Sequence, residues 1–226
     1  LVKLLDEQYS GDVQLYAAGA LAELARCNPK NQQAIAKLGC IPKLVKLLVS
    51  TSSVHVLEEA AGTLWCLAAN HYNNQVAIAE ADGIAPLVAL LGRSGPRVQE
   101  MAVGALAALA LNNEKNKVAI AVLLVGLLSP HDKEASSKAA RAISRLARAH
   151  PTNQEAISSA GGIPVLVSLL DANPKSKVVA AVQKEFAAAL WSMAYDNVTN
   201  QAAIAQAGGR SNSRPRAILC PARVRQ

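Results

Sequence analysis

Hydrophobic and polar residues recur in the same order about every 42 positions along most of this 226-residue chain. Each unit opens with an Asn, and Ala and Ile follow three and four positions later, as in NQQAIAKLGCIPKLVKLL from Asn31. Equivalent segments begin at Asn74, Asn116, Asn153 and Asn200, at spacings of 43, 42, 37 and 47 residues. A fixed period of this length predicts an array of repeats.

Each unit predicts three helices. The opening Asn is a predicted N-cap, because its side-chain oxygen can accept a hydrogen bond from a free backbone N–H. The first short helix is expected to end at glycines, which are Gly39, Gly83 and the pair Gly161–Gly162. Prolines then suit the first turn of a second helix, at Pro42, Pro86 and Pro164.

The third helix of each unit is the longest. In VLEEAAGTLWCLAAN its apolar residues recur at spacings of three and four, at Leu57, Ala60, Leu64 and Leu67. Three helices in so short a unit cannot bury their apolar faces alone, whereas stacked units can. We therefore predict an all-α fold, a right-handed α-α superhelix, or solenoid, of three-helix repeats.

The predicted array covers residues 1–209, and its copies differ in length. It comprises a partial copy 1–30, copies 31–73, 74–115, 116–152 and 153–199, and a partial copy 200–209. The copy at 116–152 lacks five residues between Ile120 and Leu124, including the Gly-Ile-Pro turn, so its first two helices are expected to fuse or one to shorten. The copy at 153–199 carries about four extra residues near 173–182.

Charge is concentrated at one end of the chain. The formal net charge is +7, and residues 210–226 contribute five arginines and no acidic residue, so the rest is close to neutral. We expect this tail to be disordered. It is either a basic arm for nucleic acid or anionic membrane, or a misread or truncated end of a longer array. The missing initiator Met favours a piece of a longer array.

The remaining composition favours packed helices without a catalytic centre. Residues of hydrophobic type make up 51% of the chain and aromatic residues 3%. No apolar run approaches the roughly 18 residues that cross a bilayer. The cysteines form no CxxC pair and the histidines no metal-ligand spacing, so we expect free thiols, no metal and no cofactor. Nucleotide-binding and zinc-protease motifs are absent from the sequence, and we expect no enzymatic activity.

The repeated string N-Q-x-A-I-A-x-x-G-G-I-P-x-L-V-x-L-L, followed by A-A-x-A-L-x-x-L-A, resembles the armadillo repeat family. The resemblance covers nearly the whole chain to Gly209. It implies a non-enzymatic scaffold that binds extended peptides or helices along a concave groove lined by the third helices. Members such as β-catenin and the vacuolar armadillo protein resemble this chain more than importin-α does.

Importin-α and many relatives carry an Asn and a Trp at fixed third-helix positions, which grip nuclear-localisation peptides. The positions that match the Asn are Glu23, Cys66, Ala108, Arg145 and Ser192. The positions that match the Trp are Gly19, Gly62, Gly104, Arg141 and Ala188. Because neither residue occurs at these positions, a nuclear-transport adaptor is the weaker alternative.

These ten positions define the predicted groove, together with the two tryptophans. Trp65 and Trp191 fall on its flank, where each could form a groove wall or pack against the next repeat. Gly19, Gly62 and Gly104 align, which favours close approach of a ligand backbone or of a neighbouring helix.

A basic stripe is the main local indication of ligand chemistry. Lys138, Arg141, Arg145 and Arg148 follow at spacings of three, four and three, on one face of a helix. The stripe favours an acidic partner segment, or it is simply a solvated face. We predict a protein-interaction scaffold of the cytoplasm or nucleus with a peptide ligand and no small-molecule substrate.

Overall fold

The computed structural model describes residues 1–93, 95–170 and 177–208, which contain one short 3₁₀ helix, Val2–Leu5, and thirteen α-helices. The first eight are α1 Gly11–Ala25, α2 Pro29–Lys37, α3 Cys40–Ser50, α4 Val54–Ala68, α5 Tyr72–Glu80, α6 Ile84–Arg93, α7 Pro96–Ala110 and α8 Glu114–Gly126. The others are α9 Lys133–Ala147, α10 Pro151–Ser159, α11 Gly162–Leu170, α12 Lys177–Ala194 and α13 Val198–Gly208. The all-α solenoid is thereby confirmed. The predicted tail 210–226 lies outside the described residues.

The helices repeat in sets of three, and the longest of each set stack on one another. These third helices are α1, α4, α7, α9 and α12. Four of them have 15 residues, and α12 has 18, which absorbs part of the extra length predicted near 173–182. No single described helix is long and apolar enough to cross a bilayer; α5 and α6 reach that length only together, across a 77° bend.

The predicted apolar stripe of the third helix forms the core. Ala60, Leu64 and Leu67 of α4 are fully buried. The stack is also joined by polar groups, because the Thr63 hydroxyl lies 2.9 Å from the Ala18 carbonyl oxygen of α1 and donates to it. Neighbouring repeats therefore share both apolar packing and buried hydrogen bonds.

The prediction that the repeat Asn is an N-cap is wrong. The capping atom belongs to the residue three positions earlier: Asn28 Oδ1 accepts from the Asn31 backbone N–H, and Asn113 Oδ1 from that of Asn116. The repeat Asn lies one turn inside the helix and uses its side-chain N–H groups instead. Asn116 Nδ2 donates to the Leu109 carbonyl of α7 and to the Gln75 carbonyl of the preceding repeat.

The Gln that follows the repeat Asn reaches the third helix of its own unit. Gln32 Nε2 donates to the Cys66 carbonyl, Gln75 Nε2 to that of Ala108, and Gln154 Nε2 to that of Ser192. These glutamines are at most 2% exposed. Carbonyls near the C-terminus of a helix have no hydrogen-bond donor within that helix. The Asn and Gln side chains together donate to such carbonyls of the third helices. We call these bonds the amide clamp.

The shortened copy interrupts this arrangement. Its first two helices fuse into α8, which is the first of the two predicted alternatives. Lys117 replaces the Gln; its ammonium is buried and pairs with Glu114 Oε1 at 2.5 Å. Helices α7 and α9 pack together much less closely than α4 with α7 or α9 with α12. The stack of third helices is therefore loosest where the Gln of the amide clamp is missing.

Turn residues follow two different requirements. The residue eight positions after the repeat Asn has positive φ, and it is Gly39 at 75°, Gly161 at 83° and Asp82 at 57°. The next position is Gly83, which has no room for a side chain, because a methyl group there would lie 2.8 Å from Ile78 Cγ2. The sequence predicted that the first helix of this unit ends at Gly83, but the residue with the left-handed turn conformation is Asp82.

Asn116→Ala is expected to lower the free energy of unfolding by about 2 kcal/mol, because two carbonyls lose their buried donor. Asn153→Ala is the matched control, since Asn153 donates to the Leu146 carbonyl and is half-buried. We expect it to cost about half as much. Urea denaturation followed by circular dichroism measures both; equal losses would contradict a contribution from the second bond of Asn116, to the Gln75 carbonyl.

Candidate functional site

A cavity of about 430 Å³ opens on the exposed surface of the third helices, between the C-terminal halves of α4, α7 and α9. We call this surface the third-helix face. Trp65 forms one end of the cavity and Arg145 the other, with Gly104 and Ala107 of α7 between them. His150 and Asn153 at the start of α10 line its rim. The cavity lies at the loose junction of α7 with α9.

Trp65 both packs on the next repeat and borders the cavity. Its indole lies over Gly104, where a methyl group would be 2.6 Å from Trp65 Cδ2. Its side chain nonetheless remains 39% exposed. Of the two alternatives for this residue, packing against the neighbouring repeat is therefore observed, and the opposite ring face is free to contact a ligand.

The three aligned glycines have different neighbours. Gly104 is required by the indole of Trp65, as just described. A methyl group at Gly62 would lie 3.4 Å from Met101 Sδ, which is ordinary contact, and one at Gly19 would lie 3.1 Å from Glu59 Oε2. Gly19 and Gly62 thus face a side chain of the following third helix, and Gly104 faces one of the preceding third helix. This is the close approach of a neighbouring helix considered above.

Three members of the basic stripe have partners inside the protein. Lys138 Nζ lies 2.6 Å from Glu134 Oε1 and donates to the Gly92 carbonyl at 2.7 Å. Arg141 Nε lies 3.9 Å from Glu185 Oε2, at the limit of an ion pair. The Arg148 guanidinium lies over the Trp191 ring, 5.7 Å from its centroid, which is a cation–π contact.

Arg145 differs from the other three. Its side chain is exposed, and it makes no hydrogen bond or ion pair with any residue that the structure describes. It lines both the large cavity and a narrow one beside it, which contains Glu100, Lys138 and Arg141. A guanidinium without a partner in a concave site is suited to a carboxylate or phosphate.

Two predicted groove positions are largely buried. Ala108 is 8% exposed and contributes only a small surface to the cavity, and Ser192 is 2% exposed. Their carbonyls accept the Gln bonds of the amide clamp, which hold this part of the third helix to the first helix of its own unit. Ser192 Oγ also lies 2.9 Å from Ser144 Oγ.

The other predicted groove residues are accessible, but they do not form one site. Arg145 is exposed, and it lies in the unit in which Lys117 replaces the Gln of the amide clamp. Cys66 and Ala188 are half-buried. Glu23 is exposed and pairs with Arg26 at 2.7 Å. Trp191 is 56% exposed and lies beyond α9, separate from the cavity that holds Trp65.

Several residues that line the cavity were not predicted from the sequence. These are Asn70, Ala107, Leu111, Asn112, His150, Thr152 and Asn153. Ala107 aligns with Trp65 and could have been found from that alignment. His150 and Thr152 could not, because their place depends on how far α9 lies from α7.

A second cavity, of about 340 Å³, lies between α1 and α4 on the same third-helix face. Tyr16, His55, Glu58 and Glu59 line it. Glu58 pairs with Arg97 Nε at 2.6 Å, whereas the Glu59 carboxylate has no partner among the described residues. Burial, with repulsion from Glu58, raises the pKa of Glu59 above its ordinary value.

The cysteines and histidines of the described residues are scattered. No three His, Cys, Asp or Glu side chains there are grouped for a metal ion. Cys27, Cys40 and Cys66 are free thiols, as expected. Burial raises the pKa of Cys40 to about 12, so it is a small core residue, whereas Cys27 is exposed. Cys220 lies outside the described residues.

Comparisons with known proteins agree with this architecture. Residues 28–69 match the family model described as Armadillo/beta-catenin-like repeat. An engineered protein of known crystal structure is 36% identical, with a TM-score of 0.62, over 92% of this chain and 83% of that one. A designed armadillo repeat protein in complex with the peptide (KR)4 is 27% identical, with a TM-score of 0.60, over 92% and 86%.

A third similar structure comes from computationally designed armadillo repeat proteins for modular peptide recognition, with 27% identity, a TM-score of 0.58, and coverage of 92% and 87%. The stacked third helices, with cavities on their exposed face, define an α-solenoid. The chain belongs to the armadillo repeat family.

Gly104→Ala is expected to lower the free energy of unfolding by about 1–2 kcal/mol, because the methyl group must displace the Trp65 indole. In a Trp191→Phe background, the fluorescence of Trp65 should shift to longer wavelength. Gly62→Ala is the matched control: with ordinary contact at Met101, the helix gains up to about 1 kcal/mol. The account of Trp65 would be wrong if both substitutions stabilised the protein equally.

Proposed function

We propose that this protein is an interaction scaffold that binds an extended partner segment across the third-helix face. The segment places a bulky apolar side chain against Trp65 and an acidic side chain on Arg145. The observation that carries the proposal is the cavity of about 430 Å³, which brings an exposed indole and an unpaired guanidinium together in one concave site.

The chemistry of the cavity supports this ligand. A flat aromatic face gives apolar contact area with little loss of side-chain entropy, and aromatic residues are enriched at interface hot spots. A guanidinium can hold a carboxylate with two parallel hydrogen bonds. The small residues Gly104 and Ala107 leave room between these two groups for an extended backbone.

Similar structures support peptide binding as the mode, and the residues of this chain favour a different ligand. The (KR)4 peptide of the designed relative is basic. At the α9 end of the present face, Arg145 and its neighbours would repel such a peptide and attract an acidic one. The positions that would hold the importin-type Asn and Trp are filled by other residues, so we also propose that nuclear-localisation peptides are not bound in that manner.

Binding, rather than catalysis, is the proposed activity, and it requires no cofactor. The described side chains that line the cavity offer an indole, a guanidinium and amides, with His150 at the rim. These groups can orient a peptide. We place the protein in the cytoplasm or nucleus, where its thiols would stay reduced.

Arg145→Glu is expected to abolish selection of acidic segments from a displayed library of random peptides about twelve residues long, which span roughly 40 Å when extended. The wild-type protein should enrich Asp or Glu close to a bulky apolar residue. For single selected peptides, the variant should weaken binding about tenfold, because attraction becomes repulsion.

Lys133→Glu is the control for this charge reversal. Lys133 is an exposed residue at the start of the same helix, outside both cavities that Arg145 lines, and the change in charge is the same. It should leave the selected sequences unchanged. Enrichment of the same acidic peptides by wild type and Arg145→Glu would exclude the proposed site.

A further inference from the structure

The third-helix face carries opposite unpaired charges at two separate cavities. Glu59 of α4 lines the cavity between α1 and α4, and its carboxylate has no partner among the described residues. Arg145 of α9 lines the cavity at the α7/α9 junction, also without a partner there. The two charges lie on the same face of the stack, on either side of Trp65.

Other charges on this face are largely compensated within the protein. Glu58 pairs with Arg97, and Lys138 pairs with Glu134. Glu100 lines the narrow cavity together with three basic residues, Lys138, Arg141 and Arg145, so the net charge of that lining remains positive. A ligand that crosses the face therefore meets a carboxylate that has no hydrogen bond or ion pair among the described residues, then the indole, then a guanidinium in the same condition.

The cavity at Glu59 has the composition that suits a cationic side chain. The phenol of Tyr16 gives an aromatic surface beside the carboxylate, and Tyr16 is 76% exposed. An ammonium or guanidinium gains from an ion pair and from an aromatic face at the same time. The carboxylate is also partly desolvated next to Glu58, which raises its pKa, and a bound cation would relieve both effects.

The spacing of the two charges sets the spacing required in a ligand. From α4 to α9 there are two helix steps, a shorter one between the closely packed α4 and α7 and a longer one across the loose α7/α9 junction, together about 20 Å. Glu59 and Arg145 also differ by about two turns along the helix axis. The direct separation is therefore roughly 22 Å. An extended chain covers this with six or seven residues at about 3.4 Å each.

We propose, on the basis of the peptide-binding function above, that the partner segment is charge-divided. It carries a Lys or Arg side chain at the Glu59 cavity and an acidic side chain at Arg145, six or seven residues apart, with a bulky apolar residue between them at Trp65. Because one end of the face is acidic and the other basic, the charges of the segment also fix the direction in which it lies.

The test compares peptides selected from one random displayed library by two proteins. Wild type should enrich a cation and an acid six or seven residues apart, in one order along the peptide. The double variant Glu59→Arg/Arg145→Glu, which has the same net charge, should enrich the reverse order. Glu80→Arg/Lys133→Glu is the control; both residues are exposed outside the three cavities, and the wild-type order should persist.

Synthetic peptides then test the spacing directly. Three labelled peptides of identical composition are compared. In the first the cationic and acidic residues are adjacent, in the second they are separated in the selected order, and in the third they are separated in the reverse order. Fluorescence anisotropy should show about fivefold tighter binding of the selected order than of either other peptide. Glu59→Gln should remove most of this advantage, and because it preserves shape it remains informative if the double variant does not fold.

The outcomes separate this inference from the proposed function. If acidic residues are enriched through Arg145 while the position of cations is random, the charge-divided partner is excluded and the peptide scaffold remains. If selected peptides show neither feature, both proposals are excluded. If the double variant folds and keeps the wild-type order, the charges at Glu59 and Arg145 do not set direction.

Discussion

The amide clamp is the interaction on which the rest of the structure depends. Each repeat Asn donates to a carbonyl at the end of the preceding third helix, and the following Gln does the same for the third helix of its own unit. Those carbonyls accept no hydrogen bond from within their own helices. Burying them without a donor would lower the free energy of unfolding. Apolar stacking supplies most of the buried area, and the clamp fixes the register in which third helices stack.

The candidate site arises where the clamp is interrupted. Lys117 replaces the Gln, the first two helices fuse into α8, and α9 packs only loosely against α7. The space left between them is the cavity that holds Trp65 and Arg145. A shortened repeat, which looks like a defect in an otherwise regular array, thus produces the most distinctive surface of the protein.

Much of this could be predicted from the sequence because the repeats define their own register. The helices and the core stripe that contains Leu64 follow from periodicity. The missing turn predicted that the helices of α8 would fuse or that one would shorten, and the sequence did not decide between the two. The N-cap was wrong because an Asn amide can accept or donate, and periodicity does not distinguish the two. Ala108 was predicted in the groove because it matches the Asn position of importin-type repeats, and that match does not reveal that a Gln from elsewhere in the repeat binds its carbonyl. The cavity itself depends on the distance between α7 and α9, which no local pattern specifies.

The central claim, that the α7/α9 junction is the docking site, can be tested through the two tryptophans of the chain. Their indole N–H signals can be followed by NMR during titration with a selected acidic peptide, and assigned with Trp191→Phe. The account predicts a large, saturable shift of the Trp65 signal, which lies in the cavity with Arg145, and little change at Trp191. Saturable binding that shifts the Trp191 signal and leaves Trp65 unchanged would contradict it.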